Sequence, residues 1–162
     1  MISITVNNRV HGNIEFFIDG EDFERINNFK WFAKFDKTIN NYYINSKQKN
    51  KPIPLHRFIM DCPSGMVVDH IDGNPLNNTR SNLRICTPAQ NAMNKKPYKN
   101  KTATRYKGVY TVTGCKNKWQ AQINYNKKYL YLGSFDSQEK AAEAYNNAAI
   151  KYYGEFAHLN KV

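Results

Sequence analysis

Asp69 and His70, followed by Asn82 twelve residues beyond His70 and Asn91 nine beyond that, are residue types that suit hydrolytic chemistry. Phosphodiester hydrolysis needs a hard-oxygen site for a divalent cation and a neutral base that takes a proton from water. Asp69 offers a carboxylate and Asn91 an amide carbonyl, both suited to one Mg²⁺ or Mn²⁺ ion. Two protein ligands would leave positions for waters and phosphate oxygens. His70, with a reference pKa of about 6.5, is mostly neutral at pH 7 and suits a general base. An Asp-His pair alone is a weak signal, and its weight depends on what positions it.

The surrounding sequence supplies those elements. Val67-Val68 reads as a short buried strand leading into Asp69 and His70, and Asp72-Gly73-Asn74-Pro75 as a turn. Asn82 reads as support for the segment that follows it. Thr87-Pro88-Ala89-Gln90 is a helix start: Thr at the cap, Pro at the first position, Gln three after the cap. Asn91 therefore sits in the first turn of a helix. Pro54 to Met60 reads as a strand or short helix entering the motif. Within it, His56 suits a buried, hydrogen-bonded histidine better than a metal ligand. Arg57 and Arg84 read either as clamps on the scissile phosphate or as ordinary surface arginines.

Upstream, Ile2, Ile4 and Val6 alternate, and Ile14 to Ile18 forms a second strand before an Asp19-Gly20 turn. Phe23 and Ile26 lie at helical spacing. Trp31 to Phe35 and Tyr42 to Asn45 read as a hairpin whose aromatics belong to the core. Downstream, three strands and a helix are predicted. Trp119, Ala121, Ile123, Leu130 and Leu132 alternate onto one face, and Gln120, Gln122, Asn124, Tyr129 and Tyr131 onto the other. Asp136 or Ser137 caps a helix rich in alanine that runs to about Tyr153, where Gly154 stops it.

Bulk properties narrow the partner. The chain has 162 residues, a net charge of +11 and a pI near 9.6. Between Asp72 and Asp136 there is no acidic residue, while Arg80, Arg84, Lys95, Lys96, Lys118, Lys127 and Lys128 all fall there. A solvated surface normally intersperses both signs, so a polyanion, nucleic acid first, is the expected partner. Three cysteines, odd in number and without Cys-x-x-Cys spacing, argue against a zinc ribbon or a disulfide framework. No signal-peptide core or membrane-length apolar run is evident, so a cytoplasmic protein without membrane contact is expected.

Leu55-His56-Arg57, Val68-Asp69-His70-Ile71-Asp72-Gly73-Asn74, Leu76-Asn77-Asn78, Ser81-Asn82-Leu83-Arg84 and Thr87-x-x-Gln90-Asn91 resemble HNH homing endonucleases, in the variant whose third position is Asn. The resemblance implies an α+β fold with a ββα-metal nuclease lobe. It makes His70 the general base, Asp69 and Asn91 the ligands of one metal, and Asn82 the residue that fixes the loop, all four counted in the catalytic set. Tyr106-Lys107-Gly108-Val109-Tyr110, Lys118-Trp119-Gln120-Ala121-Gln122-Ile123, Tyr131 to Asp136 and the alanine-rich helix resemble the APETALA2-type DNA-binding domain. That implies a three-stranded antiparallel sheet packed on one helix, with Lys107, Tyr110, Lys118, Gln122, Asn124, Lys128, Tyr129 and Tyr131 toward DNA. Tyr110, Asn124, Tyr129 and Tyr131 fall where Arg or Trp are frequent in the plant pattern, so base preference does not carry over.

Four segments follow: a strand-rich scaffold (1–51), the nuclease motif (52–94), a basic linker (95–105) and the DNA-binding domain (106–160). Their order resembles mobile, often phage-borne, enzymes, which places the protein in a bacterial or phage-infected cell. The expected activity is site-preferring cleavage of double-stranded DNA. With one Asp-His…Asn…Asn set, a monomer or weak dimer nicks one strand per site. The alternative is a DNA-binding regulator whose nuclease lobe is inert.

Overall fold

The computed structural model describes residues 1–48, 51–96, 104–112, 114 and 118–162. They form two compact units, Met1–Asn91 and Ala92–Val162. Both mix helix with small antiparallel sheets, so the α+β class holds. Most of the basic stretch 95–105 lies outside the described residues. Among the described residues no helix is long and apolar enough to cross a membrane.

In the first unit β1 (Ile2–Asn8) pairs antiparallel with β2 (Gly12–Ile18). A 3-10 turn at Gly20–Asp22 and a short helix, α1 (Phe23–Asn27), lead into a three-stranded sheet of β3 (Trp31–Asp36), β4 (Asn41–Gln48) and β5 (Lys51–Pro54). The Pro54–Met60 segment resolves as the end of β5 followed by helix α2 (Leu55–Ile59). β6 (Val67–His70) and β7 (Leu83–Cys86) then form a hairpin, and α3 (Pro88–Met93) follows.

One core joins these pieces. Phe16, Ile18, Ile26, Ala33 and Ile44 from the N-terminal elements pack with Leu55, Ile59, Val68 and Leu83. Burying each large side chain contributes on the order of 1.5–3 kcal/mol. Scaffold and nuclease motif, distinct in the sequence, are thus held as one packed body.

The aromatics of the β3–β4 hairpin depart from the expectation that they are core. Strand alternation sends Ala33 and Ile44 inward, with Trp31 and Tyr42 partly buried beside them, while Phe32 and Tyr43 take the other face. Phe32 is exposed. Tyr43 lies against two histidines, described below.

In the second unit β8 (Val109–Thr111), β9 (Trp119–Tyr125) and β10 (Lys128–Phe135) form a sheet in the order β10-β9-β8, and α4 (Gln138–Tyr153) packs across it. Val109, Ala121 and Ile123 meet Ala141, Ala142, Tyr145, Ala148 and Ala149, so small residues let helix and sheet approach closely. β10 runs two residues further than expected because a register shift between Tyr131 and Gly133 lets pairing resume through Phe135. The Ser137 hydroxyl accepts from Lys140 N–H to cap α4, and Gly154 ends it at φ 54°. Gly108 is sterically required: at φ +74°, a Cβ there would stand 2.0 Å from the Tyr145 ring.

Candidate active site

Asp69 and His70 end β6, and both are buried, at 5% and 7% exposure. Their cross-strand partners on β7 are Arg84 and Leu83. Arg84 donates to Asp69 Oδ2 from Nε at 2.9 Å and from a terminal nitrogen at 2.7 Å. A buried carboxylate needs compensation, and this neighbour provides it. Arg84 therefore stands at the carboxylate with little exposure of its own.

His70 Nε2 lies 3.2 Å from Asn78 Oδ1. The Asn78 amide nitrogen donates to the Pro75 carbonyl at 3.2 Å, which orients Oδ1 toward the imidazole. The ring then carries its proton on Nε2 and its lone pair on Nδ1. Asn78, only 1% exposed, also donates its backbone N–H to the Phe17 carbonyl. The sequence signal for this residue was present in Leu76-Asn77-Asn78, but nothing in its spacing singled out the second Asn.

Around His70 sit two further rings. His56 meets it edge-on with centroids 5.0 Å apart, and Tyr43 lies 5.7 Å from His56 and 6.4 Å from His70. Burial, with the neighbouring His70 and Arg57, pushes the His56 pKa down to about 3. Burial lowers that of His70 as well, against the opposing pull of the Asn78 hydrogen bond and the Asp72 and Asp69 carboxylates. The same low-dielectric setting, with Asp36 and Asp69 nearby, raises the Tyr43 phenol. A neutral imidazole is the favoured state of both histidines.

The loop between β6 and β7 is organised by Asn82. Its amide donates to Asp72 Oδ1 at 2.9 Å and to the Asn77 carbonyl at 2.8 Å, and its Oδ1 accepts from Asp72 N–H at 3.0 Å. Asp72 closes its own turn, accepting from Asn74 N–H at 2.7 Å and Asn77 Nδ2 at 2.9 Å. Desolvation pushes the Asp72 carboxyl up, but these hydrogen bonds outweigh it and leave the pKa lowered. The loop is also stitched to the scaffold. Phe17 N–H donates to the Leu76 carbonyl at 2.8 Å, and Asp19 Oδ2 accepts from Arg80 N–H at 2.7 Å. The Arg80 guanidinium reaches both oxygens of the buried Asp22, at 2.9 and 2.7 Å. Sequence reading missed this anchor, since Asp22 and Arg80 are 58 residues apart.

α3 begins as expected. Thr87 N–H donates to Gln90 Oε1 at 2.9 Å, and Gln90 N–H donates to Thr87 Oγ1 at 3.2 Å, a reciprocal capping box. The Asn91 N–H touches the buried Cys86 thiol, which in turn feels the Asp69 charge. Cys86 shares its strand face with Arg84, the partner of Asp69. The helix carrying Asn91 thus starts against the side of the hairpin that carries Asp69. By donor type alone, a carboxylate such as Asp69 and an amide oxygen such as Asn91 fit a hard divalent cation.

Arg57 is placed otherwise than as a clamp. Its guanidinium donates to the carbonyls of Met66 (2.6 Å), Cys62 (3.3 Å) and Pro63 (3.2 Å), holding the turn before β6.

In the second unit Tyr129 and Tyr131 are 72% and 65% exposed, Asn124, Lys118 and Lys128 are exposed, and Tyr110 and Gln122 are half-buried. Lys107 is half-buried and its ammonium donates to the Met93 carbonyl, while burial pushes its pKa down to about 8.

A family model described as HNH endonuclease matches residues 61–93, the stretch that contains β6, β7 and α3. An uncharacterized HNH endonuclease of Acanthamoeba polyphaga mimivirus is 34% identical over 152 residues, covering 90% of this chain and 74% of the relative. The chain belongs to the HNH endonuclease family. A Bacillus subtilis SPbeta prophage protein named for HNH homing endonucleases is 45% identical over 56 residues, 32% of each chain. An AP2-like ethylene-responsive transcription factor of Arabidopsis thaliana is 36% identical over 77 residues, covering 46% of this chain and 25% of the relative. An HNH region followed by an AP2-type region is therefore the arrangement. Nucleases of this family generally use a divalent metal ion, and the two similarities together imply DNA binding.

Proposed function

We propose that the protein is a site-preferring, homing-type endonuclease of double-stranded DNA that nicks one strand per active site. The observation that supports this most directly is the buried Asp69-His70 pair, with His70 Nε2 held by Asn78 and the adjoining loop pinned by Asn82.

In this reading His70 is the general base. Asn78 keeps the proton on Nε2, so Nδ1 takes the proton from the attacking water, and burial keeps the imidazole neutral for that step. Asp69 and Asn91 would hold one Mg²⁺ or Mn²⁺ in a ββα-metal arrangement; when bound, the cation stabilises charge on the phosphate and on the departing 3′ oxygen. In this reading Arg84, which donates to the Asp69 carboxylate, also meets a phosphate, whereas Arg57 serves the scaffold. Asn82 acts through the loop and touches no reacting atom. The AP2-type unit supplies affinity for duplex DNA.

Supercoiled plasmid carrying a cleavable site tests the reading. Wild type with Mg²⁺ is expected to give nicked circles before any linear product, and EDTA to abolish cleavage. His70→Ala should slow nicking by roughly 10²–10⁴-fold. Equal nicking by both proteins would remove His70 from the mechanism. Linear product with no nicked intermediate would end the nickase reading, and binding without cleavage under any metal would leave a DNA-binding regulator.

A further inference from the structure

Among the described residues, the outward face of the C-terminal sheet carries its charge at the ends and none in the middle. β9 presents Gln120, Gln122 and Asn124 outward, β10 presents Tyr129, Tyr131 and Ser134, and β8 adds Tyr110. The alternate positions Val109, Ala121 and Ile123 are buried under α4, which fixes the orientation of the others. Among the described residues, lysines flank this face: Lys118 just before β9, and Lys127 and Lys128 at the β9–β10 turn.

The strand register pairs an amide with a phenol twice. Asn124 lies opposite Tyr129, and Gln122 opposite Tyr131. Directly opposed residues on one sheet face hold their Cβ atoms about 4.5–5.5 Å apart. In the major groove an A·T pair offers two features side by side. Adenine N6 and N7 match the donor and acceptor of an Asn or Gln amide, and the thymine 5-methyl accepts apolar contact. Guanine, by contrast, offers two acceptors at O6 and N7, which call for Arg or Lys. Among the described residues the centre of this face has neither.

Resting on the duplex-DNA reading above, we propose that this face selects A·T base pairs. Gln122 and Asn124 read adenine edges, and Tyr131 and Tyr129 cover the thymine methyls beside them. The Tyr131 hydroxyl is tied to Ser134 Oγ at 2.7 Å, which holds that ring over the sheet. The flanking lysines contact phosphates and set position without reading sequence. Residues two apart on a strand are separated by about 6.6–6.8 Å. Bases step by about 3.4 Å along each strand. With the strands running along the groove, the two amide–phenol pairs address base pairs two steps apart.

The test uses the full-length protein in EDTA with a pool of random-sequence duplexes, and the bound DNA is sequenced after repeated selection. Wild type is expected to enrich sites with at least two A·T pairs two steps apart. Replacing both with G·C should weaken binding roughly tenfold or more. Gln122→Arg should shift the selected base at one of those positions from A to G. Substituting deoxyuridine for thymine removes only the methyl. It should weaken wild type a few-fold and leave a Tyr129→Ala/Tyr131→Ala variant unaffected. Tyr129 and Tyr131 are exposed and Gln122 is half-buried, and matched thermal unfolding would confirm that the variants remain folded. A G·C-rich selected core, or an unchanged preference in Gln122→Arg, overturns the assignment while leaving DNA binding intact. An equal uracil effect in both proteins removes the tyrosines from it. Absence of duplex binding at low salt would instead overturn the DNA-directed reading itself.

Discussion

In the proposed mechanism Asn78, a residue that meets no substrate, decides whether His70 is competent as the base. Its Oδ1 selects the Nε2–H tautomer of His70, and its amide nitrogen is committed to the Pro75 carbonyl. Asn78→Ala removes that acceptor and with it the contact that favours the Nε2–H tautomer. Single-turnover nicking at saturating DNA should fall about tenfold or more, within the span of general-base effects, with DNA affinity unchanged. An equal loss of affinity would mean the substitution acts through the fold instead. His56 makes a separate prediction about stability. In the folded protein it resists protonation down to about pH 3, whereas in the unfolded chain it titrates near 6.5. Its depressed pKa therefore favours the folded state above pH 6.5, and that contribution is lost as pH falls from 6.5 toward 3. Between pH 6.5 and 5, wild type should lose about 1–2 kcal/mol more than His56→Gln. Urea unfolding at stepped pH measures the difference, and parallel curves would refute it.

At the level of elements, what the sequence disclosed was local and what it hid was long-range. The capping box of α3 was legible because Thr87, Pro88 and Gln90 encode it within four residues. The faces of β9 and β10 were legible from alternation alone, since one side is buried by α4. The β3–β4 hairpin was legible as a hairpin, but not which aromatics it buries: Tyr43 sits beside His56 because β4 meets α2, a contact that no periodicity reports. The same holds for the loop between β6 and β7. Asp72 closes its own turn, as the turn chemistry of Asp72-Gly73-Asn74-Pro75 suggested, and Asn82 holds the loop from within, as the family resemblance implied. Its anchor to β2 and to the Gly20–Asp22 turn needs Phe17, Asp19 and Asp22, far upstream. That anchor is testable. Among the described residues, Arg80→Ala leaves the buried Asp22 carboxylate with one longer ion pair, at 3.8 Å to Arg25. Because Arg80 is itself partly exposed, the expected cost is about 2–3 kcal/mol, below the full value for a buried pair. Denaturant unfolding gives the number, and nicking by the variant should fall below 37 °C-matched wild type as the loop loosens. A neutral substitution would mean that the loop is held by its internal asparagines alone.

Over the whole molecule the dominant physical fact is charge: +11 in 162 residues, with none of the acids between Asp72 and Asp136. Neutralising phosphates releases condensed counterions, so affinity for duplex DNA should fall steeply with salt. If about six phosphates are engaged, raising salt from 50 to 200 mM should cost on the order of a thousandfold. The slope can also be apportioned among residues. Lys118, Lys127 and Lys128 are exposed at the ends of the C-terminal sheet. Changing any one to Gln should reduce the logarithmic slope by about 1 and weaken all sequences alike. Lys107 should behave differently, although it lies in the same basic run. Its ammonium is turned to the Met93 carbonyl, and burial has pushed its pKa down to about 8. Lys107→Gln should therefore leave the salt slope unchanged while lowering the stability of the second unit. Titrating labelled duplex with each variant at several salt concentrations separates the two groups. A slope that falls equally for Lys107 and Lys128 would show that Lys107 leaves its carbonyl partner to meet phosphate, and a flat salt response in wild type would contradict the electrostatic account altogether.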